Sequence, residues 1–244
     1  MKNLIFPIFL GLLCSSFAVI PAAENAERIP EPKVDFSPRK EFSIEAAAAV
    51  SVYNETCLAD YGLSLDAFSH AWKGYETLLR QQRIRRTGTL TICDFSQSSL
   101  KKRMYIIDVE SRRLLKNTWV AHGQNSGLEY ATRFSNKPES LQSSLGFYVT
   151  SGTYLGKHGL SLRMEGMEPG FNDKAMNRAI VLHGAAYVNA ARALSGTYMG
   201  RSWGCPAVPD KEAKQIIETI KNGTCLFIYH PDRRYLQGSK ILND

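Results

Sequence analysis

Apolar residues recur at helical spacing between Ser43 and Arg86, and beyond Gly88 they run together or alternate at strand lengths. The alanine-rich stretch from Ser43 predicts one helix, with Gly62 as a stop. Ser64 starts a second helix, on which Phe68, Trp72, Tyr75 and Leu79 fall three or four residues apart and share one face. That aromatic stripe reads as a core face rather than a ligand surface. Strands follow at 90–94, 103–109 and 114–121; the last two form a hairpin with Tyr105, Ile107 and Val109 on one side. Strands 146–150 and 160–164 are separated by a glycine-rich turn at 152–159. The run 179–183 ends in His183 and Gly184, and alternation places His183 with Val181 and opposite Ile180 and Leu182. Asp210 is read as the N-cap of a helix whose stripe is Ala213, Ile216, Ile217 and Ile220, stopped by Lys221 and Gly223. Residues 224–229 are almost continuously apolar, as in a central strand, and Pro231 closes them. Stretches 123–144 and 164–177 show no period and read as loops. There is no internal repeat.

Composition changes this picture at the N-terminus. Lys2, an apolar run from Leu4 to Leu13 and small residues up to Ala23 have the order of a secretory signal peptide; the run is too short for a membrane span. The residue before Cys14 is leucine, where lipid attachment would want a small residue. The expected organisation is therefore signal peptide 1–23, proline-bearing linker 24–42, helical segment 43–86, main domain 87–236 and tail 237–244. After cleavage no membrane association is expected. Export leaves Cys57, Cys93, Cys205 and Cys225, which an oxidising compartment could pair; one bridge and three buried thiols both stay open. No Cys-x-x-Cys or other zinc spacing occurs, so neither metal nor cofactor is expected. The net charge of +7 and pI near 9.1 suit an acidic partner. The basic clusters lack interleaved aromatics, so nucleic acid is not expected.

The candidate chemistry lies between His183 and Cys205. A thiol becomes a useful nucleophile when a base takes its proton and backbone amides hold the developing charge. Gly204 permits close approach of a substrate, and Pro206 biases Cys205 toward extended backbone. The residues alone support acyl transfer by a cysteine and nothing narrower.

His183-Gly184, a loop and then Ser202-Trp203-Gly204-Cys205 resemble the active-site signature of the YkuD-like L,D-transpeptidases, in the murein L,D-transpeptidase catalytic-domain group. Further blocks at 122–127, 134–136, 145–150, 154–162 and 225–229 extend the resemblance over roughly residues 85–236. One departure is Trp203, where the commoner motif, Ser-His-Gly-Cys, has its second histidine. The resemblance implies a mostly β fold, a β-sandwich-like catalytic domain, here preceded by the N-terminal helices and with one helix after Cys205. It implies Cys205 as nucleophile, His183 as base and the Gly184 carbonyl as the group orienting the imidazole. Ser202, Gly204 and the Cys205 amide would line the oxyanion pocket, with Trp203 walling it. Arg178 and Arg201 are candidates to hold substrate carboxylates, and Tyr154 and Asn125 to touch the donor. His122 and His158 are read as ordering loops. The implied partners are peptidoglycan peptide stems, with carbapenem β-lactams as covalent inhibitors, and the implied location is the periplasm or cell envelope. Alternatives are an L,D-carboxypeptidase or amidase of the same family and a non-catalytic wall-binding module. A papain-like protease is disfavoured, because no matching Asn or Asp pattern is present.

Overall fold

The computed structural model describes residues 38–244, and their side chains from 45 onward. The expected signal peptide and most of the linker lie outside the described residues. Among those described, no helix is long and apolar enough to cross a membrane.

A mixed α/β domain results, built on one hydrogen-bonded sheet of eight strands in the order β3-β2-β1-β8-β4-β5-β6-β7. In chain order these are β1 Thr89–Asp94, β2 Met104–Asp108, β3 Arg113–Thr118, β4 Gly146–Gly156, β5 Gly159–Gly166, β6 Val181–Ala185, β7 Ala207–Pro209 and β8 Cys225–Tyr229. The helices are α1 Pro38–Glu55, α2 Leu65–Arg80, α3 Ala190–Leu194, α4 Asp210–Ile220, α5 Arg233–Gly238 and α6 Lys240–Asn243. Strand β8 sits mid-sheet, parallel to β1 and antiparallel to β4, and all five of its residues are buried. A continuous apolar run is what a strand covered on both faces requires.

The aromatic stripe of α2 is core: Phe68, Trp72 and Tyr75 are buried, and Ser64 caps the helix by accepting from the Ala67 N–H. Each such ring removed from water contributes about 1.5–3 kcal/mol. Helix α1 begins at Pro38, ahead of the expected Ser43. Asp210 is the first residue of α4 rather than its cap, and Pro209 precedes it without a side-chain cap. There the carboxylate still lies at the positive end of the helix dipole. Residues 237–244, expected as a tail, contribute buried Ile241 and Leu242. The buried Glu168 carboxylate anchors them to β4 by accepting from the Phe147 N–H at 2.7 Å, the Tyr235 hydroxyl at 2.9 Å and the Ser239 hydroxyl.

Two differences bear on the site. The turn expected over 152–159 is strand almost throughout: Gly152 falls at a register shift between Thr150 and Thr153, and the reversal is confined to Lys157 and His158. A glycine within a strand often marks such a bulge. The cysteines also resolve: Cys57, Cys93, Cys205 and Cys225 are all free. Cys93 pairs with Ile228 and Cys225 with Leu90, so the two buried thiols lie three residues out of register and on opposite faces of the sheet. Three residues of strand are about 10 Å, beyond disulfide reach.

Candidate active site

Strands β6 and β7 run parallel, His183 opposite Ala207, and the His183 N–H donates to the Pro206 carbonyl at 3.4 Å. This pairing folds the loop back and brings Cys205 within two residues of His183's partner. Both side chains line a cleft of about 610 Å³, together with Tyr154, Lys157, Arg178, Tyr187, Arg201 and Trp203. The alternation along the strand holds, with Val181 on the cleft beside His183 and Leu182 in the core.

His183 is buried, and its Nδ1 lies 2.7 Å from the Gly184 carbonyl oxygen. A carbonyl only accepts, so Nδ1 carries the proton and Nε2 keeps its lone pair for the cleft. Burial lowers the imidazole's affinity for a proton; the Gly184 bond opposes this, and His158 and Lys157 add to it. Gly184 lets helix α4 pass closely: a Cβ there would stand 2.6 Å from Asp210 Oδ1 and 3.0 Å from Ala213 Cβ.

The Cys205 thiol accepts from the Val181 N–H at 3.5 Å and faces the Ala179 carbonyl at 3.8 Å. Burial raises the thiol's pKa, while the Val181 amide, the Arg178 charge, its own amide and Lys157 pull it back. Burial thus favours the neutral form of both the thiol and the imidazole that share this cleft. Ser202 closes the cysteine turn on itself: its Oγ accepts from the Gly204 N–H at 3.2 Å and donates to the Cys205 carbonyl at 2.6 Å. Its hydroxyl therefore shapes the turn and engages the Gly204 amide, which leaves the amides of Val181 and Cys205 as the donors that act on the sulfur.

Gly204 has φ +118°, and a Cβ there would meet the Gln142 carbonyl oxygen at 2.6 Å and Arg178 Nη2 at 3.1 Å. The obstacle is backbone, so Gly204→Ala must displace the turn. Kinetics should show at least a tenfold loss of kcat/KM, in line with the sensitivity of catalysis to small misplacements. A variant with wild-type turnover would show that the turn tolerates a shift.

The other expected residues divide. Trp203 is 66% exposed and forms a rim, with Lys157 Nζ 4.7 Å from its ring centroid. Tyr154 lines the cleft under Arg163, whose guanidinium carbon is 4.5 Å from the ring centroid. Asn125 is not among the residues lining the cleft and braces the loop that follows it, donating to the Ser140 carbonyl at 3.0 Å. Arg178 is held by four neutral acceptors, whereas Arg201 reaches the cleft exposed. Burial pushes the Tyr187 hydroxyl up to about 12, so it stays protonated beside the thiol.

His158 was assigned only a loop-ordering role by sequence. At the tip of the β4–β5 hairpin its ring stacks on His183, centroids 4.4 Å apart and planes 22° from parallel. The pairing of Ser161 with His183 sets that reach. No cleft-lining residue is an aspartate or glutamate, and no ion pair among the described residues includes Lys157, Arg178 or Arg201. The cleft is therefore a concave site of uncompensated positive charge around one thiol.

A sequence model described as the L,D-transpeptidase catalytic domain matches residues 59–229. The chain belongs to that family. The match begins before α2, so it takes in part of the N-terminal helical segment. No curated protein matches. Among solved structures, this L,D-transpeptidase-family chain is similar to an L,D-transpeptidase from Mycobacterium smegmatis, with 12% identity, TM-score 0.36, and 59% of each chain covered. LdtMt1 in complex with imipenem shares 10% identity at TM-score 0.35, over 58% of this chain and 59% of that one. The helical cell shape determining protein Pgp2 of Campylobacter jejuni, as its K307A mutant, shares 13% at TM-score 0.40, over 66% of this chain and 55% of that one. The chain thus spans about three fifths of the length of the first solved structures it matches.

Proposed function

We propose that this chain is an exported peptidoglycan L,D-transpeptidase of the periplasm or cell envelope that works through a Cys205 thioester. The observation that carries the reading is the single thiol that lines one cleft with an imidazole whose Nδ1 is tied to the Gly184 carbonyl. His183 Nε2 takes the Cys205 proton as Sγ attacks the amide carbonyl that follows the L-centre of meso-diaminopimelate in a tetrapeptide stem. The oxyanion faces the Cys205 amide. Collapse breaks the C–N bond, and the imidazolium returns its proton to the departing D-alanine amine. An acceptor amine then attacks the thioester, gives its proton to His183 and releases the thiol, forming the cross-link. Arg201 and Lys157, without an acidic partner among the described residues, hold the stem's carboxylates, and Trp203 and Tyr154 form the apolar rim. Carbapenems would acylate the same thiol.

Intact-mass analysis tests this, with mature protein incubated with purified disaccharide-tetrapeptide beside Cys205→Ala. A dimeric muropeptide lacking one D-alanine, formed by wild type only, is the expected result. Loss of D-alanine without a dimer would make the protein an L,D-carboxypeptidase. No product from folded wild type, with both proteins retained on sacculi, would make it a wall-binding module.

A further inference from the structure

Arg178 is a half-buried cation with no anionic partner among the described residues. Its Nη1 donates to the Ser135 carbonyl at 2.7 Å and to Ser144 Oγ at 2.5 Å. Its Nη2 donates to Ser140 Oγ at 3.2 Å and to the Gln142 carbonyl at 2.6 Å. Four of its five N–H donors are thereby committed to neutral groups of one irregular loop, and only Nε–H is left over. A guanidinium so engaged cannot clamp a carboxylate with its fork, as the sequence reading expected, without releasing the loop.

The cation is aimed at the cysteine turn. Nη2 and the Gln142 carbonyl both press on Gly204, at 3.1 Å and 2.6 Å from the point where its Cβ would stand. The residues that follow Arg178 touch the sulfur directly, through the Ala179 carbonyl and the Val181 N–H. Between them Ala179 adopts φ +52°, the left-handed region that a residue with a Cβ enters at a cost of about 1–2 kcal/mol. One short segment therefore delivers an amide donor and a fixed positive charge to the nucleophile, from groups other than the His183 ring.

We infer that Arg178 is a positioning residue for the nucleophile: clamped by Ser135, Ser140, Gln142 and Ser144, it holds the 135–144 loop against Gly204 and favours the Cys205 thiolate. This inference rests on the reading of Cys205 as nucleophile. Arg178 transfers no proton; the thiol proton goes to His183, and the guanidinium stabilises the charge left on sulfur. Burial makes the thiol harder to ionise, and Arg178 is the first side-chain charge to oppose that, after the Val181 amide. The other ionisable groups around the sulfur are His183, His158, Lys157, Arg201, Tyr154 and Tyr187 in the cleft and Tyr148 behind it.

The test reads the thiol itself. In a Cys57→Ser background, which removes the exposed competing thiol, the rate of alkylation of Cys205 by iodoacetamide is followed by intact mass as a function of pH. The proteins compared are Arg178, Arg178→Lys and Arg178→Gln, with folding checked by circular dichroism. The neutral variant should move the alkylation midpoint upward by about one pH unit or more, the effect of losing an adjacent opposite charge. The lysine variant keeps the charge without the fork and should fall between. Turnover should fall about tenfold in Arg178→Gln through kcat, with KM for the donor nearly unchanged. If Arg178→Gln does not fold, wild type against Arg178→Lys decides by the same midpoint. An unmoved midpoint in a folded variant overturns the inference, and so does a loss confined to KM, which would restore the carboxylate clamp. A moved midpoint in a protein that makes no cross-link would refute the transpeptidase reading while supporting this placement of Arg178.

Discussion

Replacing His183 with alanine is expected to lower kcat/KM by roughly 10²- to 10⁴-fold, the usual contribution of a general base. The size follows from the resting state of the pair. Burial raises the Cys205 thiol and lowers the His183 imidazole, so no preformed ion pair stands ready near neutral pH and the proton must move during attack. The direction of the pH dependence follows as well. A base works only when unprotonated, so wild-type kcat/KM rises as pH climbs through the His183 pKa. Because that pKa lies below the ordinary 6.5, the acid limb should sit below pH 6.5. In His183→Ala the limb should vanish, and the residual rate should grow only as the thiol ionises at alkaline pH. Steady-state kinetics over acid and alkaline buffers measure both features. An acid limb that survives in the variant would assign the base to another group, with His158 the first to examine, since it stacks on His183.

The largest stability effect should come from Arg103→Met, a loss of about 3–5 kcal/mol, the cost of breaking a buried polar network from one side. Arg103 is fully buried. Its Nε and Nη2 donate to the Val120 carbonyl at 3.1 and 3.0 Å, its Nη1 to the Gln97 carbonyl at 2.7 Å, and its Nη2 to His122 Nδ1 at 2.7 Å. The guanidinium lies over Phe95, 4.7 Å from the ring centroid. Burial lowers its pKa to about 10, so it remains charged at neutral pH. An arginine only donates, so His122 Nδ1 is an acceptor and its Nε2–H faces the Gly127 carbonyl at 3.3 Å. Burial and the adjacent guanidinium lower His122 to about 3, which fixes it as neutral. Methionine refills part of the volume but strands two carbonyls and a ring nitrogen. Against a total of about 5–15 kcal/mol for a typical domain, the change is severe. Urea denaturation would read it as a lower midpoint at unchanged slope. A cost below about 1 kcal/mol would mean that water reaches and satisfies the stranded groups. Activity should fall with stability, because the His122 carbonyl accepts the Ser202 N–H at 3.2 Å beneath the cysteine turn.

The parts of this molecule that were legible in its sequence are those encoded locally. The stripe on α4, the unbroken apolar run of β8 and the glycine-bounded cysteine each announce themselves within a few residues. The motif that singles out His183 and Cys205 is specific, and both side chains line one cleft. Other features depend on partners remote in the chain. Arg178 reads as any lone arginine, since its acceptors include main-chain carbonyls of Ser135 and Gln142, which carry no sequence signal. His158 reaches His183 because the β4–β5 pairing runs out to Gly156 and Gly159 and Ser161 pairs with His183, whereas the glycines there suggested a long turn. Ser202 lines the cleft, but the engagement of its hydroxyl inside the turn, with the Gly204 amide and the Cys205 carbonyl, carries no sequence signal.

The place of β8 has a kinetic consequence. This strand joins β1 to β4, and its register with β1 ties Leu90 to Cys225 across most of the domain. Until residues 225–229 are available, β1 and β4 lack the strand between them, and the β1–β3 and β4–β7 pieces are linked only through the bridges of Ala121 to Ala207 and Gly123 to Ser202. Completion of the sheet must therefore wait for nearly the whole chain to be delivered, and the closing step joins residues of large sequence separation, the kind of contact that makes folding slow. For the export proposed above, that order would keep the chain from locking into its final shape before nearly all of it has crossed.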